Sequence, residues 1–155
     1  TLGYYGPGDM VGEMSLIDPE ARLETVVLDY VEALRIPPRL IRTVMSEDLE
    51  FASAMHRLMG ERRLLAERRI DALLTRSVES RVAEFLLDAS SRHGIPDSRG
   101  ILVGVKFTHQ EIASYVGSTR ETVTLVLGAF KRAGVIGTDH RRVVIRDVAG
   151  LRKRV

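Results

Sequence analysis

Two capping-box patterns, Thr108-His109-Gln110-Glu111 and Ser118-Thr119-Arg120-Glu121, stand ten residues apart with Gly117 between them. In such a box a hydroxyl accepts from the backbone of the first helical turn while a glutamate three residues on reaches back. The spacing predicts two helices joined by a tight turn at Gly117, whose missing Cβ permits positive φ. Ala113 lies four residues before this glycine and Val123 six after it. In a helix-turn-helix the small residue lets the helices approach and the apolar one pins the second to the first. The second helix is expected over Thr119 to Ala133, with Val123, Val126, Leu127 and Phe130 buried and Arg120, Glu121, Thr124 and Lys131 outside.

An outward Arg-Glu pair opening such a helix suits duplex DNA. Arg120 can donate two hydrogen bonds to a guanine edge and Glu121 can accept from cytosine. Thr119 and Thr122 suit phosphate oxygens. Past Gly134, Val135-Ile136 and Val143-Val144-Ile145 flank a turn over Gly137 to Arg142, a hairpin with a basic tip that reads as a wing. His109 and His140 read as donors on the DNA side. Charge agrees: residues 1–75 carry 9 Lys/Arg against 13 Asp/Glu, a net of −4, whereas residues 76–155 carry 14 against 8, a net of +6. A basic half beside an acidic one suggests a nucleic-acid end. The competing reading is a ligand-binding or protein-interaction module whose helix-turn-helix is vestigial.

The first 36 residues read as β structure punctuated by Gly3, Gly6, Pro7, Gly8 and Gly12, with strands at Thr25–Leu28 and Val31–Ile36 about an Asp29-Tyr30 turn. Pro37 and Pro38 favour a helix start. A short helix, Arg39 to Met45, should be followed by a long one from Glu47 to Leu74 capped by Ser46. Phe51, Leu58, Leu65 and Ala72 recur every seven residues, with Met55 widening the stripe. Such a repeat suits a helix pairing with a copy of itself, although Arg62 and Arg69 interrupt the seam and a long core helix would show a similar stripe. A further helix spans Val78 to Ser91 and stops at His93-Gly94. A loop follows from Ile95 to Gly100, then a strand from Ile101 to Phe107.

Composition removes several classes. With no cysteine there is no disulfide scaffold, thiolate zinc site or Cys-ligated iron–sulfur cluster in this chain. His56, His93, His109 and His140 are scattered without an i, i+4 pair, so no metal site is expected. No Ser/His/Asp grouping, Walker-type loop or paired catalytic carboxylates point to an enzyme. No apolar run reaches the ~20 residues of a membrane helix, so a cytoplasmic protein without a membrane partner is expected.

The run from Phe107 to Leu127 closely resembles the recognition motif of the Crp/Fnr family of bacterial, catabolite-activator-like transcription regulators. Gly8-Asp9-Met10-Val11-Gly12-Glu13 resembles the turn entering that family's cyclic-nucleotide-binding β-roll, and Leu34-Arg35-Ile36-Pro37 its exit. The resemblance implies an α+β fold: residues 1–37 as the closing part of a β-roll sensor whose first strands are missing ahead of Thr1, residues 38–76 as a short helix, a dimerisation helix and a hinge, and residues 77–155 as a winged helix-turn-helix. It implies a homodimer (through Phe51, Met55, Leu58, Leu65 and Ala72) that reads a pseudo-palindromic site on double-stranded DNA, works with RNA polymerase and is controlled allosterically through the roll. Base reading falls to Arg120, Glu121, Thr124 and Leu125. Backbone contact falls to Thr108, His109, Gln110, Ser118, Thr119, Thr122, His140, Arg141 and Arg142.

Two departures from the family pattern stand out. Leu125 occupies a position where the best-known activator has a second base-reading arginine. In the effector pocket, Gly12, Glu13 and Arg22 match the phosphate-binding cassette, but Leu23 and Glu24 replace a hydroxyl and a small residue, and Ala66-Glu67 stand where adenine-reading hydroxyls would be. A carboxylate beside a phosphate is repulsive, which argues against cyclic AMP. A haem stays open, because strands ahead of Thr1 could carry a ligand.

Overall fold

The computed structural model describes residues 1–20, 24–28 and 30–155; the expected pocket residue Arg22, its neighbour Leu23 and the turn residue Asp29 lie outside them. The chain forms two compact units, residues 4–65 and residues 66–155 together with 1–3. Helices α1 (Pro38–Glu47) and α2 (Leu49–Thr75) come first, then α3 (Val78–His93), β1 (Gly94–Asp97) and β2 (Gly100–Val103). The order continues α4 (His109–Val116), α5 (Arg120–Arg132), β3 (Ile136–Asp139), β4 (Arg142–Ile145) and α6 (Val148–Arg152). Helices with one small antiparallel sheet make this an α+β chain.

In the unit of residues 4–65, the Gly6-to-Asp9 turn closes through Asp9 N–H donating to the Gly6 carbonyl (3.0 Å) and Gly6 N–H donating to Asp9 Oδ2 (2.7 Å). Gly12 takes φ 88° ahead of a 3-10 turn over Glu13–Leu16. The strands expected at 25–28 and 31–36 are not formed: the described residues there have no regular secondary structure and leave Val26, Val27, Tyr30, Val31 and Leu34 exposed. Alternating apolar residues make a strand only where a neighbouring strand completes the hydrogen-bond ladder, and no such neighbour stands among the described residues. Pro37 and Pro38 do open α1, in the extended cap and first helical positions. The cap of α2 is Asp48, not Ser46. Asp48 Oδ1 accepts from Glu50 N–H (2.8 Å) and Phe51 N–H (3.0 Å), while Ser46 Oγ donates to the Thr43 carbonyl (2.7 Å) inside α1. A carboxylate accepts better than a hydroxyl at the positive end of a helix.

The second unit is built around α3. Val82, Ala83, Phe85, Leu86 and Ala89 face Ile112, Ala113 and Val116 of α4, Val123, Leu127 and Phe130 of α5, and Leu151 of α6, all buried. Phe85 packs edge-on to Phe107 at 5.1 Å between centroids and tilted against Tyr115 at 5.0 Å. The four-stranded sheet runs β1-β2-β4-β3, antiparallel throughout. Val103, Ile136, Val144 and Ile145 supply its buried positions.

Residues 95–97, expected as the start of a loop over Ile95 to Gly100, belong to the edge strand β1. Pro96 hid it, since proline is kept from central strands but tolerated at an edge where its missing N–H is not needed. Gly94 ends α3 with extended backbone, φ −74° and ψ 133°, rather than a left-handed cap. Its reason is crowding: a Cβ there would sit 2.1 Å from the Ser90 carbonyl oxygen. Helix α6 was not read from the sequence; Asp147 caps it by accepting from Gly150 N–H at 2.8 Å.

The core predicts its own weak points. Phe130→Ala should cost about 3–5 kcal/mol in urea unfolding, the usual loss for an aromatic truncated in a closed core. Thr108→Ala should cost about 1 kcal/mol through its cap.

Candidate nucleic-acid interface

Helix α4 begins with the expected capping box. Thr108 Oγ1 accepts from Glu111 N–H (3.1 Å) and Thr108 N–H donates to Glu111 Oε2 (2.6 Å). The turn closes at Gly117 with φ 63° and ψ 52°, and Ser118 N–H donates to the Ala113 carbonyl at 3.0 Å. Ala113 and Val123 are both completely buried, as the helix-turn-helix spacing requires.

The cap of α5 is one residue later than expected. Thr119 Oγ1, not Ser118, accepts from Thr122 N–H at 3.2 Å. This shift has a functional consequence. With Thr119 as cap, Glu121 falls at the second helical position instead of the third, so it does not fold back on the backbone and its carboxylate stays outward. Arg120, Glu121, Thr124 and Leu125 are all exposed and together line a shallow concavity on the outer face of α5. Beside them His109 Nδ1 lies 2.7 Å from Thr124 Oγ1, which donates to the Arg120 carbonyl at 2.8 Å. The Gln110 amide donates to Ser114 Oγ at 3.5 Å. Thr119 and Thr122 pair their hydroxyls at 3.0 Å on the same turn.

The hairpin β3–β4 is tighter than its sequence suggests. Its turn is two residues, His140 (φ 44°) and Arg141 (φ 68°), the geometry whose twist matches antiparallel strands. Both side chains are exposed, whereas Arg142 is half-buried. The turn is anchored from behind: Arg99 Nε lies 2.8 Å from Asp97 Oδ1 and its Nη2 lies 2.8 Å from Asp139 Oδ2, while His140 Nδ1 meets Asp139 Oδ1 at 2.7 Å. Hydrogen bonds from Arg99 hold the Asp97 carboxyl down at about 2. Asp139 is lowered by Arg99 first and His140 second.

Two arginines that sequence reasoning did not assign hold the turn between α4 and α5. Arg81 of α3 donates from Nε to the Val116 carbonyl (2.8 Å), from Nη1 to the Arg76 carbonyl (2.6 Å) and from Nη2 to the Gly117 carbonyl (3.4 Å). Arg69 of α2 donates to the Tyr115 carbonyl and lies 4.0 Å over the centre of the Tyr115 ring. Both satisfy carbonyls that the end of a helix leaves without partners. Arg69 had read only as an interruption of the α2 seam; nothing local to the sequence points it at Tyr115.

Of the seam residues, Met55 and Ala72 are buried within the single chain, Phe51 and Leu58 are half-buried, and Leu65 is exposed. Leu64, Ile70, Leu73 and Leu74 are exposed as well. In the expected pocket, Glu13 is buried against the Arg62 guanidinium, which also donates to the Met10 carbonyl and lies 5.1 Å over the Tyr5 ring centre. A ligand hydroxyl seeking Glu13 would compete with Arg62. Glu24, Ala66 and Glu67 are exposed. Among the described residues no group of His, Asp and Glu is placed to hold a metal ion, and no helix is long and apolar enough to cross a membrane.

Three packed helices, a tight turn at Gly117 and a following hairpin define a winged helix-turn-helix, a protein class built to lay one helix in a DNA groove. Residues 80–154 match the Crp-like helix-turn-helix domain. The chain is 30% identical over 154 residues to the CRP-like cAMP-activated global transcriptional regulator of Mycobacterium tuberculosis, covering 99% of this chain and 69% of that protein. It is 32% identical to the global nitrogen regulator of Synechococcus elongatus, covering 97% and 69%. The structure of a CooA variant from Carboxydothermus hydrogenoformans superimposes with a TM-score of 0.68 at 28% identity, over 74% of this chain and 53% of that one. The part of this chain that superimposes thus spans about half of that structure. It belongs to the Crp/Fnr family of transcription regulators.

The Arg99 anchor has an acid limit. Both carboxylates are held below the ordinary value of 3.8, so the tether is complete above it and weakens in acid, its Asp97 arm being lost as pH falls through about 2. In a side-chain NMR titration Asp97 should show a midpoint near 2, and Arg99→Ala should return it toward 3.8.

Proposed function

We propose that this chain acts as a homodimeric transcription regulator that recognises a pseudo-palindromic operator through α5. The supporting observation is the outer face of α5: Arg120 and Glu121 on its first turn are exposed, and neither forms an ion pair among the described residues, while Val123, Leu127 and Phe130 fix the opposite face in the core. An arginine in that place can bind guanine O6 and N7 together, and the carboxylate can accept from a cytosine amino group. Thr108, His109, Gln110, Ser118, Thr119 and Thr122 border this face and suit phosphates. His140, Arg141 and Arg142 would meet the flanking backbone.

Dimerisation through α2 would place two α5 helices about 34–36 Å apart, one turn of the duplex. Arg69 and Arg81 support the link within one unit: Arg69 of α2 and Arg81 of α3 both donate to carbonyls at the turn before α5. In this reading residues 1–37 belong to a sensor, residues 38–76 carry the dimer helix and hinge, and residues 77–155 bind DNA. Effector binding would shift a population between competent and incompetent dimers. The protein acts in the cytoplasm, performs no catalysis of its own and works on transcription with RNA polymerase. The mycobacterial relative is named for activation by cAMP; here Glu24, Ala66 and Glu67 speak against that ligand.

Selection from a randomised duplex pool, repeated across salt concentrations, tests the reading. A two-fold-symmetric motif with half-sites one turn apart is expected. Sequence-blind binding alone, or none, would refute it. Arg120→Ala should weaken specific binding by about 1–3 kcal/mol and relax one base position. Arg141→Gly should separate stability from function. Glycine removes the left-handed strain, a gain of up to about 1 kcal/mol in unfolding measurements. It also removes a phosphate contact, lowering the slope of log affinity against log salt by about 1.

A further inference from the structure

We propose that the second turn of α5 is a methyl reader, in which Leu125 and the methyl group of Thr124 receive the 5-methyl group of a pyrimidine in the major groove. The inference rests on the assignment of α5 as the base-reading helix and goes further, by naming what its second turn recognises.

Leu125 is 71% exposed on a helix whose inner face is already filled. An isobutyl side chain has neither donor nor acceptor. Of the features that base pairs present in the major groove, only the C5-methyl of thymine is matched by an apolar surface. Thr124 would ordinarily add a hydroxyl, which could read several bases. Here the proton and one of the two lone pairs of the hydroxyl are engaged. It holds one proton, which it donates to the Arg120 carbonyl at 2.8 Å. Its 2.7 Å contact with His109 Nδ1 is therefore one in which the ring N–H donates and the hydroxyl accepts. This arrangement satisfies both contacts, whereas the opposite tautomer satisfies one. With its proton committed, the hydroxyl has no hydrogen left for a base acceptor, and what remains of Thr124 is one lone pair and the methyl group.

His109 is thus a positioning residue. Reaching from the first turn of α4, it fixes the Thr124 rotamer and occupies one acceptor site of the hydroxyl, whose proton stays on the Arg120 carbonyl. Arg120, Glu121, Thr124 and Leu125 line one concavity, polar on the first turn and apolar on the second. The polar side reads hydrogen-bonding edges and orients the duplex, and the apolar side discriminates by a methyl group. The chemistry is shared by thymine and 5-methylcytosine. Both carry the methyl at C5, so the test must separate the methyl from the base that bears it.

The experiment uses the operator enriched from the duplex pool and the full chain. Single thymines in the half-site positions facing the second turn of α5 are replaced by deoxyuridine, which removes the methyl alone. At one such position affinity should fall about fourfold per half-site, the worth of one buried methyl group. Where that pair is changed to carry cytosine, 5-methylcytosine should bind more tightly than cytosine by a similar factor. Leu125→Ala should abolish both differences while keeping the Arg120-dependent preference. His109→Phe should shrink them, because Thr124 loses the donor that fixes its hydroxyl and its methyl is no longer held in one rotamer. The proposal is overturned if deoxyuridine binds as well as thymine at every half-site position. It is equally overturned if the methyl effect survives unchanged in Leu125→Ala. A pool that enriches no motif at all would instead remove the base-reading assignment beneath it, and the proposal with it. Because Leu125 is exposed, the alanine variant should retain its fold; circular dichroism and unchanged non-specific binding verify this.

Discussion

The close approach of α4 and α5 at Ala113 and Val123 fixes the rest of the DNA-facing surface. Both residues are fully buried, and the helices can meet there only because Ala113 is small and the chain turns within three residues. Gly117 allows that turn through its left-handed backbone. Once the crossing is set, the inward face of α5 is committed to Val123, Leu127 and Phe130, and its outward face follows from helical period alone. The position of Arg120 is therefore a consequence of core packing some residues away.

Around this crossing the chain uses arginine in two distinct ways. Arg81 and Arg69 give their donors to the carbonyls at the end of α4 and so serve the geometry of the turn. Arg120 and Arg141 are held out in solvent, where a guanidinium keeps its full capacity for a forked partner. Arg99 lies between these uses, tying the β1–β2 turn to Asp139 beside the tip of the wing. A basic composition alone does not distinguish such roles. The first group spends its donors on carbonyls inside the fold, and the second keeps them for a phosphate or base.

The one-residue displacement of the α5 cap shows how a small structural choice alters chemistry. Ser118 and Thr119 both carry hydroxyls, and either could cap. Ser118 instead completes the turn by donating its backbone N–H to Ala113, which leaves Thr119 as the cap. Glu121 is then released from the capping role that the sequence pattern had implied, and a carboxylate is added to the outer surface. Similarly, Thr124 looks like a hydroxyl available to DNA until its contacts with His109 and Arg120 are seen. The recognition surface is in this sense narrower in hydrogen bonding, and more apolar, than its residue types suggest.

The helix-turn-helix and the outward residues Arg120, Glu121 and Thr124 were legible in the sequence because they depend on local rules: caps, a left-handed glycine and a 3.6-residue period; Leu125 was singled out only by the family resemblance. The same locality explains the correct start of α1 at two prolines and the long run of α2. The elements that went astray depend on partners distant in the chain. Residues 25–28 and 31–36 have strand-like alternation, but a ladder requires a neighbouring strand that alternation cannot provide. β1 is the reverse case, a segment with loop-like composition that β2 recruits into an edge. Arg62 with Glu13, Arg69 with Tyr115 and His109 with Thr124 join residues 15 to 49 positions apart. Sequence by itself determined the helices from α1 to α5 and which side chains of α5 face outward, since those follow from interactions within a few residues. Only the tertiary structure decided which of the polar groups are already satisfied, because a hydrogen bond's partner is set by packing across the fold.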